Sequence, residues 1–180
     1  MRTALFCILS FALASTIATA KDADKASPPV DSSASPCAPI AFLVGGTWHG
    51  QVPPGPNEQK VEIELKADWT ENHQGIRFDS TFLIDGKRSP YASGMYAWNP
   101  GKKQLVVLYT DSKGSLADGA VTIKNDVLVH DFKLTEKDGK ITKIQARVTP
   151  QGPNTYLNEI YQWKRGHWEK LVSVHYERAA

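Results

Sequence analysis

A period-two alternation limits the fold of this chain more than any other feature; it recurs from segment to segment and is punctuated by short turn sequences. Over 59–69, Val61, Ile63, Leu65, Ala67 and Trp69 fall on one face, with Glu62, Glu64, Lys66 and Asp68 on the other. Over 75–84, Ile76, Phe78, Phe82 and Ile84 share a face opposite Arg77, Asp79 and Thr81. Successive side chains of an extended strand point to opposite sides, so each segment reads as a half-buried strand. A first β-prone segment starts at Thr47-Trp48, and strand-like segments continue over 91–98, 104–110, 116–123, 127–135, 140–149, 155–163 and 167–178, the stretch 116–123 being interrupted by Gly119. Asp85-Gly86, Asn99-Pro100-Gly101, Asn125-Asp126, Asp138-Gly139 and Arg165-Gly166 supply the turns between them, as residues that tolerate tight backbone angles do. No segment carries the period of an amphipathic helix. Sequential hairpins without long crossovers predict an all-β fold, a single antiparallel up-and-down β-barrel of about ten strands, in which closure leaves no exposed sheet edge. A barrel of that size holds its own side chains plus one small ligand.

The start of the chain has a different character. Arg2, the apolar run from Leu5 to Ala14 and Ala18-Thr19-Ala20 have the pattern of a secretory signal peptide cleaved after Ala20, so residues 1–20 are expected to be removed and the protein to be secreted or periplasmic. Residues 21–39 are rich in Ala, Ser, Pro and Asp and are expected to form a disordered leader, because they offer too little apolar surface to offset chain entropy. The barrel domain is then 40–178. Of 21 Lys and Arg residues only Arg2 lies in the signal segment, against 19 Asp and Glu in the whole chain. That balance gives no reason to expect a nucleic-acid partner. No later stretch is apolar for the ~20 residues of a membrane helix. Cys37 is the one cysteine outside the signal segment; no intrachain disulfide is available, and a free thiol in a mobile stretch is expected.

The two ends of the domain carry a resemblance. Phe42-Leu43-Val44-Gly45-x-x-Trp48-x-Gly50 opens it and Tyr176-x-Arg178 closes it, with Gly94-x-Tyr96-x-Trp98-x-Pro100 and Asp111-Ser112-x-Gly114 between. Together these resemble domain-of-unknown-function family 1579, allied to lipocalin-like (calycin) and nitrobindin-like barrels. The second glycine of Gly45-Gly46 departs from the single one usual there. The resemblance implies a lipocalin-like barrel with no established activity. It also implies that Trp48 closes one end while a basic residue of the last strand packs across it, which places Arg178 over Trp48. Nitrobindin-like barrels bind haem through a histidine, but their motif matches no position here, so no cofactor is expected.

The histidines, His49, His73, His130, His167 and His175, form no zinc-type spacing, and no metal site is expected. His130 shares a face with Leu128, Phe132 and Leu134; it reads either as a hydrogen-bonded core histidine or as a cavity group. Glu159 shares a face with Leu157, Tyr161 and Trp163. A carboxylate there is either a polar anchor in an apolar pocket or, if a bulge shifts the face, a solvated group. The candidate cavity residues are thus His130, Glu159, Phe132, Tyr161, Trp163, Phe78, Phe82, Tyr96 and Trp98. No catalytic residue is assigned, because no nucleophile motif is present. Three functions remain open: a non-enzymatic, monomeric barrel binding a small hydrophobic ligand, an enzyme using a His130/Glu159 pair, and a structural barrel filled by its own side chains. A cavity volume separates the first two from the third.

Overall fold

The computed structural model describes residues 35–54 and 60–179. The expected signal peptide and most of the leader lie outside them, as does part of the loop after Pro54. A 3-10 helix, Ala38–Leu43, precedes ten strands. These are β1 (Thr47–Val52), β2 (Val61–Trp69), β3 (Gly75–Ile84), β4 (Lys87–Asn99) and β5 (Gln104–Asp111), then β6 (Leu116–Lys124), β7 (Val127–Thr135), β8 (Ile141–Gly152), β9 (Thr155–Lys164) and β10 (His167–Ala179). Each strand pairs antiparallel with its sequence neighbours, and β1 pairs with β10 to close the barrel. Every strand therefore has a paired neighbour on both sides, which is what the alternation and short turns require. Asp85, Asn125, Asp126 and Arg165 take positive φ in their turns, beside Gly86 and Gly166, the geometry that matches the twist of a tight hairpin.

One end of the barrel is plugged. Gly45 and Gly46 both have positive φ, 83° and 71°, and turn the chain from the 3-10 helix into β1 at little steric cost. Ile40 and Leu43 of the helix are buried against Trp48, which is fully buried. The indole Nε1 donates to the Leu43 carbonyl at 2.9 Å, which ties helix to barrel. Phe42 and Tyr156 meet the Trp48 ring edge-on at 6.4 and 4.8 Å. Gly50 admits the Tyr176 ring: a Cβ at Gly50 would lie 2.6 Å from it.

Arg178 sits directly opposite Trp48 in the β1–β10 register. Its guanidinium lies 4.4 Å from the indole centroid, and it donates to the carbonyls of Phe42 and Val44. A cation over a partly shielded indole contributes about 0.5–2 kcal/mol. A double-mutant cycle of Arg178→Ala with Trp48→Phe, read by urea unfolding, is expected to give a coupling energy in that range; a value near zero refutes the stacking as a stabilising contact.

The ordered fold begins earlier than the leader expectation placed it. Ser35 is buried, and its Oγ accepts the Cys37 amide at 3.1 Å. Cys37 is a free thiol, as expected, but it is fully buried in the core cluster rather than mobile. Composition marked 35–39 as polar leader; a small thiol packing beside Ile40 is a contact that composition does not register.

Candidate functional site

The inner faces of the strands enclose a cavity of about 350 Å³. Phe78 and Phe82 reach it from β3, Tyr96 from β4, and His130 and Phe132 from β7, so these five candidates are brought together. Tyr91, Tyr109, Tyr156, Tyr176 and Asn158 join them, with aliphatic residues such as Val107, Val148, Ile160 and Val174. Leu43 of the plug also reaches the cavity. Among the described residues, no Asp, Glu, Lys or Arg lines it. The rings pack on one another: Phe82 with Tyr91 at 4.3 Å, Phe78 with Tyr96 at 5.3 Å, Tyr109 with Phe132 at 5.7 Å and Tyr156 with Tyr176 at 4.6 Å. Burial pushes the phenols of Tyr96, Tyr109, Tyr156 and Tyr176 well up, so they stay neutral hydroxyls.

Two polar groups stand out against this lining. His130 is 6% exposed, with the Tyr96 ring 5.6 Å away. Burial lowers its pKa to about 4, with the neighbouring Asp131 charge pulling the other way, so the ring is neutral at pH 7. Its Nε2 is buried and has no hydrogen-bond partner among the described residues, and the same holds for Asn158 Oδ1. Both flank β8: His130 lies opposite Ala146, and Asn158 opposite Val148. Small, apolar neighbours offer neither atom a bond, and an unsatisfied buried polar atom costs about 1–3 kcal/mol.

Four candidates lie elsewhere. Glu159 points outward and pairs with Lys170, whose ammonium holds the carboxyl below its usual range. Tyr161 is on the same outer face, 4.5 Å beneath the Arg147 guanidinium and 5.6 Å from the Lys170 ammonium. Trp163 is 41% exposed and meets Trp168 edge-on at 5.2 Å. Trp98 follows Tyr96 on the same strand but sits near its end, 39% exposed and outside the cavity.

The cause of the β9 error is a bulge on its partner. From the Arg165-Gly166 turn, Trp168 lies opposite Trp163 and Lys170 opposite Tyr161. The register then shifts between Lys170 and Val172, and Val172 meets Ile160, Val174 meets Asn158 and Tyr176 meets Tyr156. An extra residue, Leu171, changes which β9 side chains share a face with Val174 and Tyr176. With an unbroken hairpin, Leu157 and Glu159 would have faced inward. Asn158 was missed for this reason. The one signal for it was the apolar pair Tyr156 and Ile160 on either side of it along the other face.

His130 and Glu159 are thus on opposite faces of the wall and form no pair. His49 bonds Glu62 at 3.0 Å, His73 stacks on Trp69, and His167 and His175 are exposed. Among the described residues no group of three His, Cys, Asp or Glu is placed to hold a metal, and no helix is long and apolar enough to cross a membrane.

No family model matches this chain, and no curated protein matches it. Among solved structures, one described as EF1p2_mFAP2b bound to DFHBI is similar with a TM-score of 0.35 and 16% sequence identity, over 78% of this chain and 96% of that one. A likeness of that degree carries no weight for what this chain binds.

Proposed function

We propose that this chain is a non-enzymatic binding barrel that holds one small, mainly apolar ligand in its interior. The observation that carries this reading is the 350 Å³ cavity, lined by aromatic and aliphatic side chains and by two buried polar atoms without partners. A volume of ~300–1,000 Å³ with few polar groups is the usual form of a small-molecule site. A barrel filled by its own side chains has no such space, and the orphaned atoms oppose a purely structural role. The enzyme reading loses the residue pair on which it rested. In this proposal the protein is an exported monomer, secreted or periplasmic, and a member of domain-of-unknown-function family 1579.

Native mass spectrometry of protein purified from its own host is expected to show a small molecule bound one to one. Independently, the uncharged dye N-phenyl-1-naphthylamine should bind with a micromolar dissociation constant. Ala146→Phe, which fills space beside His130, should weaken the dye by at least about tenfold while costing ~1–3 kcal/mol of stability. Equal binding by a folded Ala146→Phe variant places the dye outside the cavity. No bound molecule in either experiment overturns the proposal.

A further inference from the structure

The chemistry of the cavity wall restricts the ligand further, and this restriction rests on the binding reading above. We infer that the barrel selects an uncharged aromatic molecule carrying a hydrogen-bond donor, such as a phenolic hydroxyl, which Asn158 Oδ1 and His130 receive together.

Three observations lead there. The first is charge. Among the described residues the lining contains no acidic or basic side chain apart from His130, whose imidazole is neutral at pH 7. A carboxylate or ammonium on the ligand would be desolvated with no charged side chain to pair it. Anionic lipids and acids are thereby disfavoured. The second is the pair of orphaned atoms. Asn158 Oδ1 accepts only, so the ligand must donate to it. His130 Nε2 donates or accepts according to tautomer, and a hydroxyl can do the complementary thing to each: its hydrogen goes to the amide oxygen while its oxygen takes an N–H. The third is shape. Phe78, Phe82, Tyr96, Tyr109 and Phe132 contribute ring surfaces to the cavity, and rings pack on a flat ligand by offset or edge contacts.

Asn158 is half-buried with its Oδ1 unpartnered, so replacing it with an apolar side chain is expected to be close to neutral for the fold, and a change in ligand affinity then reports the contact at that oxygen.

The test uses four probes of one ring system at pH 7, titrated by quenching of the intrinsic fluorescence: naphthalene, 2-methoxynaphthalene, 2-naphthol and 2-naphthoate. The naphthol is expected to bind at least about tenfold tighter than naphthalene or its methyl ether, and the carboxylate weakest, as a site built around unpaired polar atoms discriminates. Asn158→Leu should bring the naphthol and its methyl ether to equal affinity and leave the melting temperature unchanged or raised. His130→Phe should reduce naphthol affinity with little effect on naphthalene. If naphthalene binds as tightly as the naphthol, the donor requirement falls while the binding reading stands. Tightest binding of the carboxylate overturns the uncharged class. A tenfold preference that survives Asn158→Leu overturns the assignment to that residue. If none of the four binds, the binding reading falls and the inference with it.

Discussion

Trp48→Ala is expected to destabilise the barrel by about 3–5 kcal/mol, the cost of truncating a large buried aromatic side chain. Trp48 is fully buried and holds three things at once. Its Nε1 binds the Leu43 carbonyl of the plug, its face carries Arg178, and its edges meet Phe42 and Tyr156. Alanine leaves a cavity at the seam where β1 meets β10 and an unbonded carbonyl above it. Urea unfolding should show a lower midpoint with an unchanged slope. Trp48→Phe refills most of the volume and so isolates the lost hydrogen bond, worth ~1–3 kcal/mol when a buried acceptor is stranded. A loss below about 1 kcal/mol for Trp48→Ala would mean that the plug is held without the indole.

The second large effect is a dependence of stability on pH that originates at His130. Burial lowers its pKa to about 4 in the folded barrel, against 6.5 for a free imidazole. Between those values the unfolded chain binds a proton that the folded one excludes, so protonation favours unfolding. Stability from this residue is fully present above pH 6.5, declines by about 1.4 kcal/mol per pH unit as the pH falls, and stops declining below the folded value. The carboxylates of the chain titrate in the lower part of that window. The informative quantity is therefore the difference between the wild type and His130→Phe, measured by denaturant unfolding at several pH values. That difference should shrink or reverse in favour of the variant as the pH falls from 6.5 to 4. A difference independent of pH would falsify the buried, neutral imidazole.

Much of the barrel was legible because strand alternation is a local property. Phe78 and Phe82 on β3 and His130 and Phe132 on β7 each sit in a segment with clearly distinct faces, and all four reach the cavity. The turn dipeptides Asp85-Gly86 and Arg165-Gly166 marked hairpins because their positive φ is a demand on those two residues alone. The seam was readable too: Trp48 begins the first strand and Arg178 nearly ends the last, and antiparallel closure sets them opposite each other.

The sequence by itself determined an antiparallel chain of about ten strands, its turns, its closure and five of the residues that line the cavity. It did so because those properties need only residues near one another in the chain, or the two ends of a closed sheet. Only the tertiary structure decided three further matters: the inward face of β9, the docking of Cys37, and the placing of Asn158 in the same cavity wall as His130. β9 carries large apolar side chains on both faces, Tyr156 and Ile160 on one, Leu157, Tyr161 and Trp163 on the other, so its own alternation leaves the choice open. The choice falls to its partner strand, where the extra residue at Leu171 shifts the pairing by one. A one-residue shift exchanges every inward side chain for an outward one, and the gain that favours it, burial of Val174 and Tyr176 against Asn158 and Tyr156, exists only once the barrel has closed.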